Sequence, residues 1–296
     1  MNRLLIVDGH AYAYRAFYAI RELRSPSGQP TNAIYGFVKM LAKMREGIAP
    51  THLIVVWDGG LSAERMAALP EYKAQRPEMP DDLSLQLDGI VSYLKAAGVA
   101  SFRRDELEAD DYIACLARHA TKAGMNVVIA SADKDFMQLV SPQIGLLNPN
   151  DKTETVWTDE QVRLKTGVSP AQIVDWLALM GDSVDNIPGV SGVGPKTAAG
   201  LLNQFGSVTE LLGRLNEVKS EKIRAALSAA EPDVRRNLRL VQLHDVPCDF
   251  VPEDLVGKPM DAEKLGGLFR QWGFNGMLKA LEQQTTSVDL RQAVWI

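Results

Sequence analysis

Nine carboxylates recur at five places along this 296-residue chain: Asp8, Asp58, the group Glu108, Asp110 and Asp111, and the pairs Asp133/Asp135 and Asp182/Asp185. Asp8 closes the apolar run Leu4-Leu-Ile-Val7, Asp58 closes Leu53-Ile-Val-Val-Trp57, and Asp133 and Asp135 follow Val127-Val-Ile-Ala130. Two carboxylates about 4 Å apart repel by about 4 kcal/mol at an effective dielectric near 20, so a crowd of them needs protons or cations. The group contains no His and no Cys, which suits hard ions, Mg²⁺ or Mn²⁺, and not zinc. Two such ions side by side serve in-line displacement at phosphorus, so the chemistry indicated is metal-dependent phosphodiester hydrolysis. Acids also gather at helix N-termini for dipole reasons, and one carboxylate in Glu108–Asp111 would need no other account. Three there, in register with the strand-end acids, ask for a site. Glu108 and Asp111 share a helix face by spacing, whereas Asp110 points aside.

Basic and glycine-rich stretches offer candidate phosphate contacts for such chemistry. Tyr72, Lys73 and Arg76 lie just beyond the Asp58 strand, where they could meet a phosphate or thread a single strand; a solvated basic loop is the plainer reading. Gly189-Val-Ser-Gly192-Val-Gly194-Pro-Lys196-Thr197 is neither a Walker A loop nor a dinucleotide fingerprint, because its glycine order and its place between helices are wrong for both. It suits a helix–hairpin–helix turn that offers free amides and Lys196 to a backbone phosphate. Tyr14 could stack on a base or pack in the core. The four histidines show no ligand spacing, Cys115 sits on the apolar side of its helix, and Trp57, Trp157, Trp176 and Trp272 read as packing.

These residues require a scaffold that brings strand ends together. Segments 2–8, 51–58 and 126–131 read as buried parallel strands, and 11–22, 31–46, 83–97 and 108–123 as helices. Strands alternating with helices predict an α/β fold with a mostly parallel sheet, whose sites lie beyond the carboxyl ends of the strands. Segment 59–82, broken by Pro70, Pro77 and Pro80, is a surface excursion. From about 158 short helices follow: Pro170 to Met180, Pro195 to Phe205, then 207–215, 219–230 and 232–243. We expect a nuclease core over 1–175, a helical region over 176–285 and a tail over 286–296. The 46% hydrophobic content supports a sizeable core. No apolar run approaches the roughly 18 residues of a membrane span, and the N-terminus lacks a signal-peptide pattern. With two cysteines there is neither a disulfide framework nor a Cys-rich zinc site, so a reducing cytoplasm is expected. The net charge of −5 conceals its distribution: residues 8–76 carry nine basic against six acidic side chains, 77–188 nine against eighteen, and 189–240 eight against five. An acidic centre lies between mildly basic flanks.

Ile-Val-Asp8-Gly, Tyr14-Arg15-Ala-Phe, Tyr72-Lys73-x-x-Arg76-Pro, Glu108-Ala-Asp110-Asp111, Asp133-Lys-Asp135 and Gly181-Asp182-Ser-x-Asp185-Asn-Ile-Pro-Gly together resemble the bacterial 5′ nuclease family, in particular the N-terminal 5′-3′ exonuclease domain of DNA polymerase I within the flap endonuclease superfamily. The likeness runs from Leu4 to about Leu281. It implies a PIN-like core, a helical arch over about 59–82 and a helix–three-turn–helix element. It implies two Mg²⁺ or Mn²⁺ ions: Asp58, Glu108 and Asp110 on one, Asp133, Asp135 and Asp182 on the other, Asp110 bridging, with Asp8, Asp111 and Asp185 close by. Lys73 and Arg76 would contact the scissile phosphate, and Tyr14 would stack on a terminal base pair. Gly189 to Thr197 would bind duplex, with K⁺ at the turn. Arg15 and Tyr72 join the DNA contacts. The implied partners are branched or nicked DNA with a 5′ end or flap, RNA-primer 5′ ends, and a DNA polymerase in cis or trans; a monomer is expected. The chain departs from the family in Trp57-Asp58, where Phe-Asp is usual. No polymerase sequence follows, so it reads as either a freestanding paralogue or one domain of a longer protein. The competing readings are a PIN-type ribonuclease, which has no use for the glycine turn, and an inert branched-DNA-binding paralogue, which has no use for a complete acidic set.

Overall fold

Leu4, Leu5, Ile6 and Val7 are all fully buried, so the strand that holds them has apolar side chains on both faces and must be covered twice. The computed structural model describes residues 2–151, 153 and 155–287, and the tail expected over 286–296 lies beyond them from 288 on. The strands are β1 (Arg3–Asp8), β2 (His52–Trp57), β3 (Ala100–Arg103), β4 (Asn126–Ala130), β5 (Ile144–Leu147) and β6 (Val156–Trp157). They form one sheet in the order β3-β2-β1-β4-β5-β6, parallel throughout except for the last pair. β3, β5 and β6 went unforeseen in the sequence. β3 has only four residues, and β6 has two.

The helices are α1 (Gly9–Ala19), α2 (Asn32–Ile48), α3 (Ala63–Ala68), α4 (Asp81–Ala96), α5 (Ala109–Lys122), α6 (Asp159–Thr166), α7 (Ile173–Met180), α8 (Pro195–Phe205), α9 (Val208–Gly213), α10 (Glu221–Ala229), α11 (Glu231–Val241), α12 (Ala262–Trp272) and α13 (Asn275–Ser287). The two-residue period of β1 divides them into two layers. Leu5 and Val7 face a core shared with Phe37 of α2, Ile90 of α4 and Phe269 of α12. Leu4 and Ile6 face a second core with Ile113 and Leu116 of α5, Leu177 of α7, Leu202 of α8 and Leu240 of α11. The helical region is therefore a layer of the sheet's own core. Among the described residues no helix is long and apolar enough to cross a membrane.

The chain builds β1, β2 and β3 outward in one direction, then returns to place β4 on the other side of β1. Ligands in such sheets settle outside the carboxyl ends of the strands at this reversal. Asp8 ends β1 there, and Ser131 and Asp133 follow β4.

Candidate active site

A cleft of about 370 Å³ opens at that reversal, lined by the carboxylates of Asp8, Asp58, Asp110, Asp133, Asp182 and Asp185 together with His10, Tyr14, Arg76 and Lys134. Each acid is held by its own local turn. Asp8 caps α1, accepting the Ala11 N–H at 3.0 Å, and takes the Ser131 hydroxyl at 2.7 Å. Asp58 accepts the Gly60 N–H at 2.8 Å, Asp133 the Asp135 N–H at 2.9 Å, and Asp182 the Val184 N–H at 3.0 Å. The Asp58 N–H in turn donates to His10 Nδ1 at 3.1 Å, which makes that nitrogen the unprotonated one. The Trp57 indole lies against Gly9, where a Cβ would come within 2.6 Å of the ring. The larger aromatic is thus accommodated beneath Gly9, and the Asp58 carboxylate still reaches the cleft.

Burial and mutual repulsion set the electrostatics. Asp110 and Asp135 are pushed well above the usual carboxylate range, first by loss of water. Next come neighbouring carboxylates, chiefly Asp133 in both cases. Burial also raises Asp8 and Asp133, although N–H donors pull each back. Asp135 Oδ1 is buried and has no hydrogen-bond partner, a costly state for a carboxylate oxygen. Oxygen donors alone, crowded, desolvated and partly orphaned, fit a hard divalent cation.

Three acids named from the sequence behave differently. Glu108 and Asp111 do not line the cleft: both turn to the guanidinium of Arg65, a buried side chain that sequence reading missed. Asp111 receives the Arg65 fork at 2.7 and 2.9 Å and the His244 N–H at 2.9 Å, which holds it outside the cleft lining. Glu108 also takes Lys73 Nζ at 3.2 Å. The shared face of 108 and 111 on the helix is thus a counter-ion face, and only Asp110 projects into the cleft. Asp135 lies outside the cleft lining, but the charges of Asp133, Asp185, Asp110 and Asp182 act on it. Nothing in the sequence singles out Arg65, whereas Lys134 and His10 stand inside the Asp133-Lys-Asp135 and Asp8-Gly-His motifs.

The excursion after β2 carries the six-residue α3 and a set of turns, and Arg65 of α3 ties it to the carbonyls of Leu240 and Gln242. Asn186 Nδ2 donates to the Glu71 carbonyl and Lys73 N–H to the Asp185 carbonyl, at 2.9 and 3.0 Å. Lys73 adopts a left-handed backbone at φ 57°, an unfavourable conformation for a side-chain-bearing residue that these contacts hold in place. Tyr72, expected among the DNA contacts, is buried outside the cleft lining with its hydroxyl 3.5 Å from Asp185. Lys73 is buried as well. Arg76 alone of the three lines the cleft, with Nη2 2.6 Å from Asp185 Oδ1. Lys134 Nζ stands 3.0 Å from Asp182. Tyr14 lines the cleft beside exposed Tyr18, their rings 6.4 Å apart and nearly parallel. Arg15 does not line it; its guanidinium reaches Asn150 at 2.7 Å.

Between α7 and α8 the glycines divide their work. Gly189 closes on α7, since a Cβ there would come within 2.1 Å of the Met180 carbonyl oxygen. Gly192 turns the chain at φ 77°, and a Cβ on Gly194 would meet only open space. Buried Val190 and Val193 anchor the turn, and Asn237 of α11 donates to the carbonyls of Ala178 and Pro188 at 3.1 and 2.7 Å. Gly194 precedes α8 with no side-chain cap, leaving amides of the first turn free beside exposed Lys196 and Thr197.

A mostly parallel sheet with an acid-lined cleft at its reversal, joined to a helical layer with an exposed glycine turn, defines the PIN-like nuclease class. Residues 3–167 match the family described as "5′-3′ exonuclease, N-terminal resolvase-like domain", and residues 168–263 its "C-terminal SAM fold". The chain is 40% identical over 285 residues to a 5′-3′ exonuclease of Aquifex aeolicus, covering 96% of each chain. It is 37% identical over 288 residues to DNA polymerase I of Bacillus caldotenax, covering 96% of this chain and 33% of that protein, so it spans about a third of that relative. Its fold is similar to that of the bacteriophage T5 flap endonuclease in a complex with DNA and metal ions (TM-score 0.67, 23% identity, 95% of this chain and 98% of that one). The chain belongs to the 5′-3′ exonuclease family.

Proposed function

We propose that this protein is a structure-specific 5′ nuclease that hydrolyses DNA phosphodiesters, cutting 5′ flaps and trimming 5′ ends to leave 5′-phosphate and 3′-hydroxyl products. The observation that carries the reading is the convergence of six carboxylates on one cleft with the unpartnered oxygen of Asp135 beside them. Asp58 and Asp110 would hold one Mg²⁺ or Mn²⁺, and Asp133, Asp135 and Asp182 a second, with Asp8 and Asp185 close by. Such ions supply an activated water and neutralise charge on the phosphate oxygens. Arg76, exposed at the rim, would exchange Asp185 for the phosphate being cut, with Lys73 supporting the charge from below. Tyr14, with Tyr18 behind it, would stack on the terminal base pair. The turn from Gly192 to Thr197 would bind the duplex backbone, with K⁺ as a further ligand. The same site would act on gapped, nicked and RNA-primer 5′ ends, with a DNA polymerase, in cis or trans, as partner. The protein would act as a monomer in a reducing cytoplasm.

Incubation of a 5′-labelled flap duplex and a single-stranded RNA with the protein tests this. Flap cleavage in Mg²⁺, abolished by chelation and by Asp135→Asn, is expected. Asp135→Asn should leave flap binding in Ca²⁺ equal or tighter, because it removes a charge that repels phosphate. Cleavage of the RNA alone would establish the PIN-type ribonuclease reading, and tight flap binding without cleavage the inert one.

A further inference from the structure

Cys115 and His119 are four residues apart on α5 and so share a face, and the fold brings Cys248, from the segment after α11, onto that face. One ligand atom from each lies within 4.8 Å of the other two. Cys115 Sγ and His119 Nδ1 are 3.4 Å apart. A tetrahedral zinc with bonds of about 2.3 Å to sulfur and about 2.0 Å to nitrogen has S–N edges of about 3.6 Å and S–S edges of about 3.8 Å. The Cys115–His119 pair thus stands near the required S–N spacing with Cys248 within 4.8 Å of both, and binding through Nδ1 would exchange its 2.9 Å contact with the Cys115 carbonyl for the ion. Cys115 is buried, and the Val246 carbonyl, 3.2 Å from its sulfur, orients the thiol. None of the three residues lines the acidic cleft. The sequence hid the triad because 133 positions separate the two cysteines.

We propose that Cys115, His119 and Cys248 form a second metal site, of the Cys₂His type, for a soft or borderline divalent ion such as Zn²⁺. Thiolate and imidazole favour Zn²⁺, whereas the all-oxygen cleft suits Mg²⁺, so with Mg²⁺ in excess the two sites differ in the ion they prefer. On binding, two thiol protons pass to solvent, two Zn–S bonds and one Zn–N bond form, and water completes the tetrahedron. Nothing is oxidised. The ion joins α5 to the segment running 243–250, which already meets α5 through Arg118 to Asp245 at 2.7 Å and through the His244 N–H to Asp111. It therefore staples the helix whose N-terminus carries Glu108, Asp110 and Asp111, without touching the reacting phosphate.

The test uses the full chain, reduced, stripped of metal and saturated with Mg²⁺, titrated with Co²⁺. One equivalent should produce thiolate-to-cobalt charge-transfer absorption with tetrahedral visible bands, bleached by Zn²⁺ and lost in Cys248→Ser. Cobalt in the oxygen-lined cleft gives no thiolate band, so the signal is independent of nuclease activity. Flap cleavage in Mg²⁺ should survive Cys248→Ser. If that variant misfolds, the unaltered chain answers: Zn²⁺ should slow alkylation of both thiols by at least about tenfold. No charge-transfer band, a band that persists in Cys248→Ser, or unprotected thiols would each overturn the site. Loss of both thiols on exposure to air, with no cobalt band after reduction, would show a disulfide pair instead.

Discussion

Replacing Arg65 with methionine removes a cation from between two buried carboxylates while keeping much of its packing volume. The guanidinium donates to Asp111 at 2.7 and 2.9 Å, to Glu108, and to the carbonyls of Leu240 and Gln242 at 3.0 Å each, and its residue is 4% exposed. Breaking a buried ion pair from one side costs about 3–5 kcal/mol, because the abandoned charge stays desolvated. Glu108 retains Lys73, but Asp111 retains only the His244 N–H, so the loss falls mainly on Asp111. An unfolding entropy of about 2.1 cal/mol/K per residue gives roughly 0.6 kcal/mol/K for this chain, and a loss of about 4 kcal/mol then lowers Tm by about 6–7 °C. Circular dichroism against temperature, without metal and with Mg²⁺, measures it. Adding Asp111→Asn to Arg65→Met removes the stranded charge and should recover about 1–2 kcal/mol, a coupling typical of contacting residues. A Tm within about 1 °C of the parent for Arg65→Met, or no recovery in the double variant, would refute the claim that this ion pair holds α3, α5 and the 240–244 segment together.

Asp8, Asp110, Asp133 and Asp135 all have folded pKa values raised above the ordinary carboxylate value, so the folded state holds more protons than the unfolded chain in the window above it. The metal-free protein should accordingly gain stability as pH is lowered toward the ordinary carboxylate value, less a contribution of opposite sign from His10, whose pKa burial lowers. Mg²⁺ needs the deprotonated carboxylates, so its stabilisation should be larger at the alkaline end; a Mg²⁺ shift in Tm that is equal at both ends would contradict the crowding. Lys196→Ala should weaken every duplex substrate alike, whatever its sequence, and reduce the slope of log affinity against log salt by about 0.9, the value of one phosphate contact. An unchanged slope across a salt series takes Lys196 out of the interface.

What the sequence determined by itself is local. Apolar runs closed by an aspartate announce β1 and β2, and one followed within three residues by Asp133 announces β4, because burial on both faces and the turn that follows are properties of a few consecutive residues. Helical spacing set Glu108 and Asp111 apart from Asp110 in the same way. The glycine turn was equally legible, although Gly189 answers to the Met180 carbonyl and not to a ligand. Tertiary structure alone decided which charge each acid meets. Arg65 finds Asp111 46 positions along the chain and the Gln242 carbonyl 177 positions along, and Tyr72 and Lys73 are buried because the loop at Asp182–Ile187 folds over them. Arg15 turns toward Asn150, 135 positions away, and Cys248 comes to Cys115 across most of the second half of the chain. Backbone periodicity reports whether a position is buried, since burial depends on the face of its own element. The counter-charge of a buried group is supplied by whichever distant segment the closed core brings within about 3 Å, and no local pattern encodes that distance.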